Sequence, residues 1–405
     1  MKPRGLVKEQ EVRFPKKGLN FLKLNALKSL NKIDDAFDKF KFRIRKKLRR
    51  LGPVWIQPYK GYGNSQVFYL KGRVLKDRGI KPSRENDSVW HNLKAMYKRF
   101  NSSEIRGVKV KATFLASEET VITDKEGYFE IYLNLTLPPP TGIKWHEVKL
   151  ELLEEVHPGQ ELVKASAKVM TPEENADFGV ISDVDDTILT TDATNILRML
   201  KLTFLNNART RLPFAGVAAF YQALQKGRNG QRKNPLFYVS SSPWNLYDLL
   251  IDFCNVHDIP TGPFMLRDFG IDETKFLKSR HLHHKLHEIE HIMSFYPDMN
   301  FILIGDSGQH DPEIYMQVIK DFPGRVKTIY IRDLTHEERR IGVNALSEEM
   351  KAHNVEMLLV KDTEEAARHA AEYGYINADN IPEIIQEKIE DINSPSDLEQ
   401  LIGID

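Results

Sequence analysis

The chain has 405 residues, 41% of them hydrophobic and 28% charged, with a formal net charge of +1. That length accommodates two or three domains with ordinary cores. A single cysteine, Cys254, excludes an intrachain disulfide and points to a reducing compartment, hence to a cytoplasmic protein. No apolar stretch approaches ~20 residues, and the N-terminus lacks the apolar core and small-residue cleavage site of a secretory signal, so neither a spanning helix nor secretion is expected.

Residues 1–52 read as a basic amphipathic helical segment. The first 50 residues hold 17 lysines and arginines against 5 aspartates and glutamates, a local balance of +12 that the near-neutral total conceals. Leu24, Leu27, Leu30, Ile33, Phe37, Phe40, Ile44 and Leu48 recur every three or four positions and draw one apolar stripe. Two readings stay open. The helix packs on the protein's own body, or it lies on an anionic lipid surface, making peripheral membrane contact through residues 20–50. Without a glycine-rich or aromatic-stacking character, the segment does not point to nucleic acid.

Residues 53–160 change texture. "VFYLKGRVL", "GVKVKATFLA", "ETVITDKEGYFEIYLNL" and "WHEVKLELL" alternate in part and are separated by turn signals at Gly61–Asn64, Asp124–Gly127 and Pro138–Pro140. The expectation is a small antiparallel β-sandwich interrupted by one helical insert, Ser88 to Phe100. Nothing in it assembles a nucleophile, a base or metal ligands, so its role reads as accessory.

Residues 174–375 alternate apolar runs with helical patterns, which implies βαβ units and a parallel sheet. Strands are expected at Gly179–Ser182, Leu236–Val239, Phe264–Leu266, Phe301–Ile304, Thr328–Ile331 and Glu356–Val360. Ser242–Pro243 reads as a cap with proline at the first helical position, opening a helix through Cys254, and Asp311–Pro312 repeats that signature. Ligands in such sheets collect at the carboxyl ends of the strands. Asp183, Asp185 and Asp186, with Thr187, follow the first strand. Ser240 and Ser241 follow the second, and "GDSGQHD" after "FILI" presents Asp306, Ser307 and Asp311. Lys285 stands near the head of a helix in "HLHHKLHEIEHI". Singly, an aspartate at a strand end is a turn former or a cap. Together, so many like charges on one rim repel unless a cation relieves them, and oxygen ligands in this number favour Mg²⁺ over Ca²⁺ or Zn²⁺.

The chain order and residue types resemble the haloacid dehalogenase superfamily of phosphotransferases. "DVDDT" is similar to its first motif, Ser240 in "LFYVS" to its second-motif hydroxyl with Ser241 as fallback, Lys285 to its third-motif lysine, and "GDSGQHD" to its acidic fourth motif. Lys275 and Lys278 stand as alternatives to Lys285. "YVSSSPWNLYDLL", "LRDFG", "HHKLHEIEHIM" and "FILIGDSGQHDPEIY" sharpen the resemblance to the catalytic domain of actin-patch phosphatidate phosphatases, and more distantly of lipin-type ones. That resemblance implies a Rossmann-like sheet and Mg²⁺-dependent removal of phosphate from phosphatidate or a related phospholipid at a membrane surface. It implies Asp183 as nucleophile and Asp185 as acid and base, and Ser240 and Lys285 on the phosphoryl oxygens. The metal would be held by Asp183, the main-chain carbonyl of Asp185, and Asp306, with Asp311 close by. Thr187, Ser241 and Ser307 are further substrate-binding candidates. A soluble phosphate ester as substrate, and a non-catalytic lipid-binding or scaffold protein, are the competing readings.

Two patterns mislead. His287–Glu288–Ile289–Glu290–His291 matches the helical zinc-peptidase motif, but apolar residues around it mark a helix packed on a sheet and no third ligand is apparent. Asp183, Asp185 and Thr187 suit the start of a calcium loop, yet Ile188 falls where glycine is needed and Thr194 where glutamate is. Leu197, Leu200, Leu202, Phe204 and Leu205 make the stretch after the first motif greasy, either as a helix covering the sheet or as a cap admitting acyl chains. Leu212 to Gln225 reads as a core helix. Residues 376–405 form an acidic tail of helical pattern.

Overall fold

The computed structural model describes residues 53–77, 104–184, 215–268, 277–334 and 337–393. The N-terminal segment, the helical insert at Ser88–Phe100, the greasy stretch after the first motif, and Asp185, Asp186, Thr187 and Lys275 lie outside them. Among the described residues no helix is long and apolar enough to cross a membrane.

Eight strands build the first sheet: β1 (Val54–Pro58), β2 (Gly61–Gly63), β3 (Val67–Lys76), β4 (Lys109–Phe114), β5 (Ser117–Ile122), β6 (Tyr128–Asn134), β7 (Trp145–Leu152) and β8 (Lys164–Met170). β4 and β7 alternate buried residues with partly or fully exposed ones, the signature of a sheet with one wetted face. All eight belong to one hydrogen-bonded sheet, antiparallel except where β2 meets β8. The continuous sheet packs on itself: Phe68 of β3 lies 4.8 Å from Phe114 of β4 and 5.6 Å from His146 of β7. The sheet runs to Met170, beyond the expected limit at residue 160, because β8 completes the edge of β7 from His146↔Val169 to Glu151↔Lys164.

The second sheet is wholly parallel: β9 (Gly179–Asp183), β10 (Leu236–Pro243), β11 (Phe264–Arg267), β12 (Phe301–Asp306), β13 (Val326–Arg332) and β14 (Glu356–Val360). β9, β10 and β12 are buried at every position, as strands covered on both faces must be. The order is β11-β10-β9-β12-β13-β14, so the winding reverses between β9 and β12, and a crevice at that reversal is where ligands collect. The strand positions follow the sequence expectation closely.

Helices cover both faces: α1 (Val217–Lys226), α2 (Tyr247–Val256), α3 (Leu277–Phe295), α4 (Asp311–Asp321), α5 (Glu337–Lys351), α6 (Thr363–Glu372) and α7 (Ile381–Asn393). Alternate strand residues divide between two cores. Val180, Tyr238 and Ile304 pack with α1, α2, α6 and α7, whereas Ile181, Phe237 and Leu303 pack with α3, α4 and α5. Tyr62, Tyr69 and Met170 of the first sheet enter the second of these cores, and Tyr59 and Tyr128 the first.

Two helix starts differ from expectation. Ser242–Pro243 is no cap: Pro243 keeps an extended conformation, pairs with Arg267, and a 3-10 turn at Trp244–Leu246 precedes α2. Asp311 is the first residue of α4 rather than its cap, and its carboxylate turns away from its own helix. The acidic tail finds its place in α7. Glu387 accepts from the Ala218 and Ala219 N–H groups at 3.0 and 2.9 Å, and Asp391 from Gly216 N–H at 2.7 Å. These bonds satisfy the N-terminus of α1, whose own Gly216 supplies no capping side chain.

Candidate active site

Parallel register sets the site. Asp183 closes β9, Asp306 closes the neighbouring β12, and Val239 of β10 pairs with Asp183, so Ser240 stands one residue past it. Asp311 enters from the first turn of α4. One carboxylate oxygen from each of Asp183, Asp306 and Asp311 lies within 4.8 Å of the other two, and all three residues are buried. They are the one such group of potential metal ligands among the described residues.

Lys285 meets this cluster from the middle of α3, not from its head. Its Nζ lies 2.7 Å from Asp183 Oδ1 and 3.0 Å from Asp311 Oδ1, and donates to Gln309 Oε1 at 2.9 Å. Burial alone would lower its pKa, but the two carboxylates outweigh it and hold the pKa above the ordinary lysine value. Lys285 is therefore a fixed cation. Of Lys278 the structure describes the backbone, in the first turn of α3.

The loop after β12 is built tightly. Asp311 Oδ2 accepts the Asp306 N–H at 3.0 Å, and Asp306 Oδ1 accepts the Gln309 N–H at 2.9 Å. Gly305 makes this possible, because a Cβ there would sit 2.5 Å from Asp311 Oδ2. Arg339 of α5 clamps the loop from outside, donating to the carbonyls of Ser307 at 3.2 Å and Gln309 at 2.7 Å while pairing with Glu313 at 2.8 Å. Gln309 and Arg339 escaped the sequence reading. Gln309 lies inside a motif read for its acids, and no local pattern ties Arg339 to a loop some thirty residues upstream.

Ser240 is wholly buried, and its Oγ accepts the Ser242 N–H at 2.9 Å. Ser241 is buried beside it. Ser307, a substrate-binding candidate, is wholly buried and its Oγ accepts the Leu334 N–H at 2.9 Å, so its side chain ties the loop to the end of β13. Asp185 and Thr187 fall outside the described residues. The zinc-peptidase pattern dissolves: Tyr132 Oη is 2.9 Å from His291 Nε2 and Tyr62 Oη meets Nδ1, so both ring nitrogens are occupied.

Three buried carboxylates against one ammonium leave a surplus of negative charge in a site of oxygen donors. Such a set fits a small hard cation.

Residues 178–333 match the family described as Phosphatidate phosphatase APP1, catalytic domain. The Saccharomyces cerevisiae Phosphatidate phosphatase APP1 is 32% identical over 156 residues, 38% of this chain and 26% of that protein. An uncharacterized Schizosaccharomyces pombe protein is 25% identical over 221 residues, 54% of this chain and 35% of its own length. The chain thus spans only about a quarter to a third of these curated relatives. Among solved structures, a carbohydrate acetylesterase from Xanthomonas citri covers 74% of this chain and 66% of its own at 10% identity, but its TM-score of 0.24 gives the likeness no weight. Residues 178–333 thus resemble an APP1-type phosphatase catalytic domain, and every aspartate and lysine of the described cluster lies inside the matched stretch.

Proposed function

We propose that the chain is a Mg²⁺-dependent phosphatase that hydrolyses phosphatidate, or a closely related phospholipid, through an aspartyl-phosphate on Asp183. The observation that carries this reading is the contact of Lys285 with Asp183 at 2.7 Å inside the buried Asp183–Asp306–Asp311 cluster, at the carboxyl ends of β9 and β12. Such an array, on a haloacid-dehalogenase-type Rossmann-like sheet, suits phosphoryl transfer, where positioning and charge stabilisation supply most of the catalysis.

The Asp183 carboxylate attacks phosphorus, and the bond to the glycerol oxygen breaks. Asp185 gives that oxygen its proton, then takes one from the water that splits the acyl-phosphate and frees Asp183. Lys285 and Ser240 hold the non-bridging oxygens, with Ser241 and Thr187 as neighbouring donors. Asp183, the Asp185 carbonyl and Asp306 would hold Mg²⁺, with Asp311 beside it, and the ion would supply the positive charge that lets an anionic nucleophile meet an anionic phosphate. The single buried cysteine and the basic stripe support a cytoplasmic protein that meets the bilayer peripherally through residues 20–50 and does not bind nucleic acid.

The test is phosphate release from phosphatidate in mixed micelles, with Mg²⁺ or with chelator, for wild type and Asp183→Asn. Release is expected to need both the metal and Asp183, the substitution costing about a thousand-fold or more. Turnover of a soluble ester with phosphatidate inert would keep the chemistry and remove the lipid. Absence of turnover on either would leave a lipid-binding or scaffold role.

A further inference from the structure

The segment carrying Ser240 is not held by its own sheet alone. β10 pairs with β11 at Tyr238↔Phe264 and Val239↔Met265, loses register, and rejoins only at Pro243↔Arg267. Between those points Ser240, Ser241 and Ser242 form an irregular stretch beside Asp183. An interrupted ladder of this kind re-aims side chains, and its shape then depends on what fixes its far end.

The far end, Pro243 to Asp248, is gripped by the antiparallel sheet. Tyr59 stacks on Trp244 with ring centroids 4.2 Å apart, and the Lys60 N–H donates to Tyr247 Oη at 2.9 Å. Gln57 Nε2 donates to Asp248 Oδ2 at 3.0 Å. Arg73 donates from Nη1 to Asn245 Oδ1 at 2.8 Å. Arg73 is itself immobilised, by the Glu126 carbonyl at 2.9 Å, by Glu104 at 3.2 Å, and by the Tyr128 ring 4.3 Å below its guanidinium. It is 7% exposed. A buried ion pair often does no more for stability than apolar side chains of the same volume, and the directed bond to one loop residue gives Arg73 a geometric role as well.

We propose that Arg73, acting through Asn245, is a positioning residue for the Ser240–Ser242 segment, and that the antiparallel sheet thereby completes the phosphoryl-holding side of the active site. This rests on the reading of Ser240 as a phosphoryl contact.

The test uses the full chain carrying Arg73→Met, Arg73→Lys or Asn245→Ala. It reads kcat and KM on phosphatidate micelles and on p-nitrophenyl phosphate, inhibition by orthovanadate, and the thermal midpoint. A displaced segment lowers kcat by about 10–100-fold and weakens orthovanadate in parallel while KM changes little, since the loss falls on the phosphoryl group during transfer. Arg73→Met and Asn245→Ala remove the same bond, so their effects fail to add in the double variant. Arg73→Lys recovers only part, because an ammonium does not reproduce the guanidinium fork. A lower midpoint with unchanged kcat and orthovanadate inhibition overturns the proposal. Should Arg73→Met not fold, the half-buried Asn245 gives the same readouts. Wild type without Asp183-dependent turnover removes the underlying reading and the proposal with it, whereas Asp183-dependent turnover indifferent to both Arg73→Met and Asn245→Ala removes the proposal alone.

Discussion

In the parallel sheet the buried charges gather at one rim, while in the antiparallel sheet they are spread along the face that meets it. Asp183, Asp306, Asp311 and Lys285 converge on one small volume. Lys71 and Arg73 sit two residues apart on β3 and each reaches a separate partner just past a strand of the neighbouring sheet, Asp268 after β11 and Asn245 after β10. Convergence concentrates charge where chemistry needs it and leaves a surplus for a cation to balance. Dispersal pairs each charge locally and turns it into geometry. The same residue types, buried alike, serve different ends because of where the backbone puts them.

The largest effect that would sharpen this contrast lies at Lys285. Lys285→Met should lower kcat about 10²–10³-fold. In chelator it should also lower stability by ~3–5 kcal/mol, since three buried carboxylates lose their ammonium. Thermal unfolding with Mg²⁺ and with chelator decides the matter: the gap between the two midpoints should be wider in the variant. An equal gap would separate Lys285 from the charge balance of the aspartate cluster.

A smaller effect sits at the seam between the sheets. Burial, working against the pull of Glu288, lowers the His291 pKa from 6.5 to about 4. The unfolded chain takes up that proton near neutrality and the folded one only near the lower value, so the contribution is complete above the unfolded pKa. It is lost as the pH falls from about 6.5 toward about 4, by up to ~3 kcal/mol. Urea unfolding at about pH 7 and about pH 4.5 should show His291→Gln less sensitive to acid than wild type. Parallel losses in the two proteins would clear His291 of the effect.

The smallest effect belongs to the wetted face of the first sheet. Lys111 and Glu118 pair across β4 and β5 at 3.2 Å, the lysine partly and the glutamate well exposed. Lys111→Ala should move stability by no more than ~0.5 kcal/mol in chemical denaturation. A loss near that of the seam would mean that dispersed surface pairs carry more of this sheet than solvent screening allows.

Much of this was legible along the chain. Strands β9 to β14 appear as apolar runs of the right length because a parallel sheet covered on both faces leaves no polar alternation to confuse the reading. Asp183, Asp306 and Asp311 stood out because acids rarely follow such runs by chance. Ser242–Pro243 misled, since proline at a helix start and proline ending a strand look alike without the neighbouring Arg267 to pair with. The bond from the Leu334 N–H to Ser307 Oγ was likewise invisible along the chain, because its two partners lie 27 positions apart.

The sequence by itself determined the alternation of strands and helices, the order of the acidic residues and the lysine, and the change of texture near residue 174, because periodicity and local chemistry are written in neighbouring residues. Tertiary structure decided that Lys285 stands mid-helix against Asp183 and that Arg339 clamps the loop after β12. It also decided that the eight strands of the antiparallel region join in one sheet, and that Arg73 reaches Asn245 across 172 positions of chain. Contacts so distant in sequence depend on how whole elements pack, and packing leaves no periodic trace in the residues that make it.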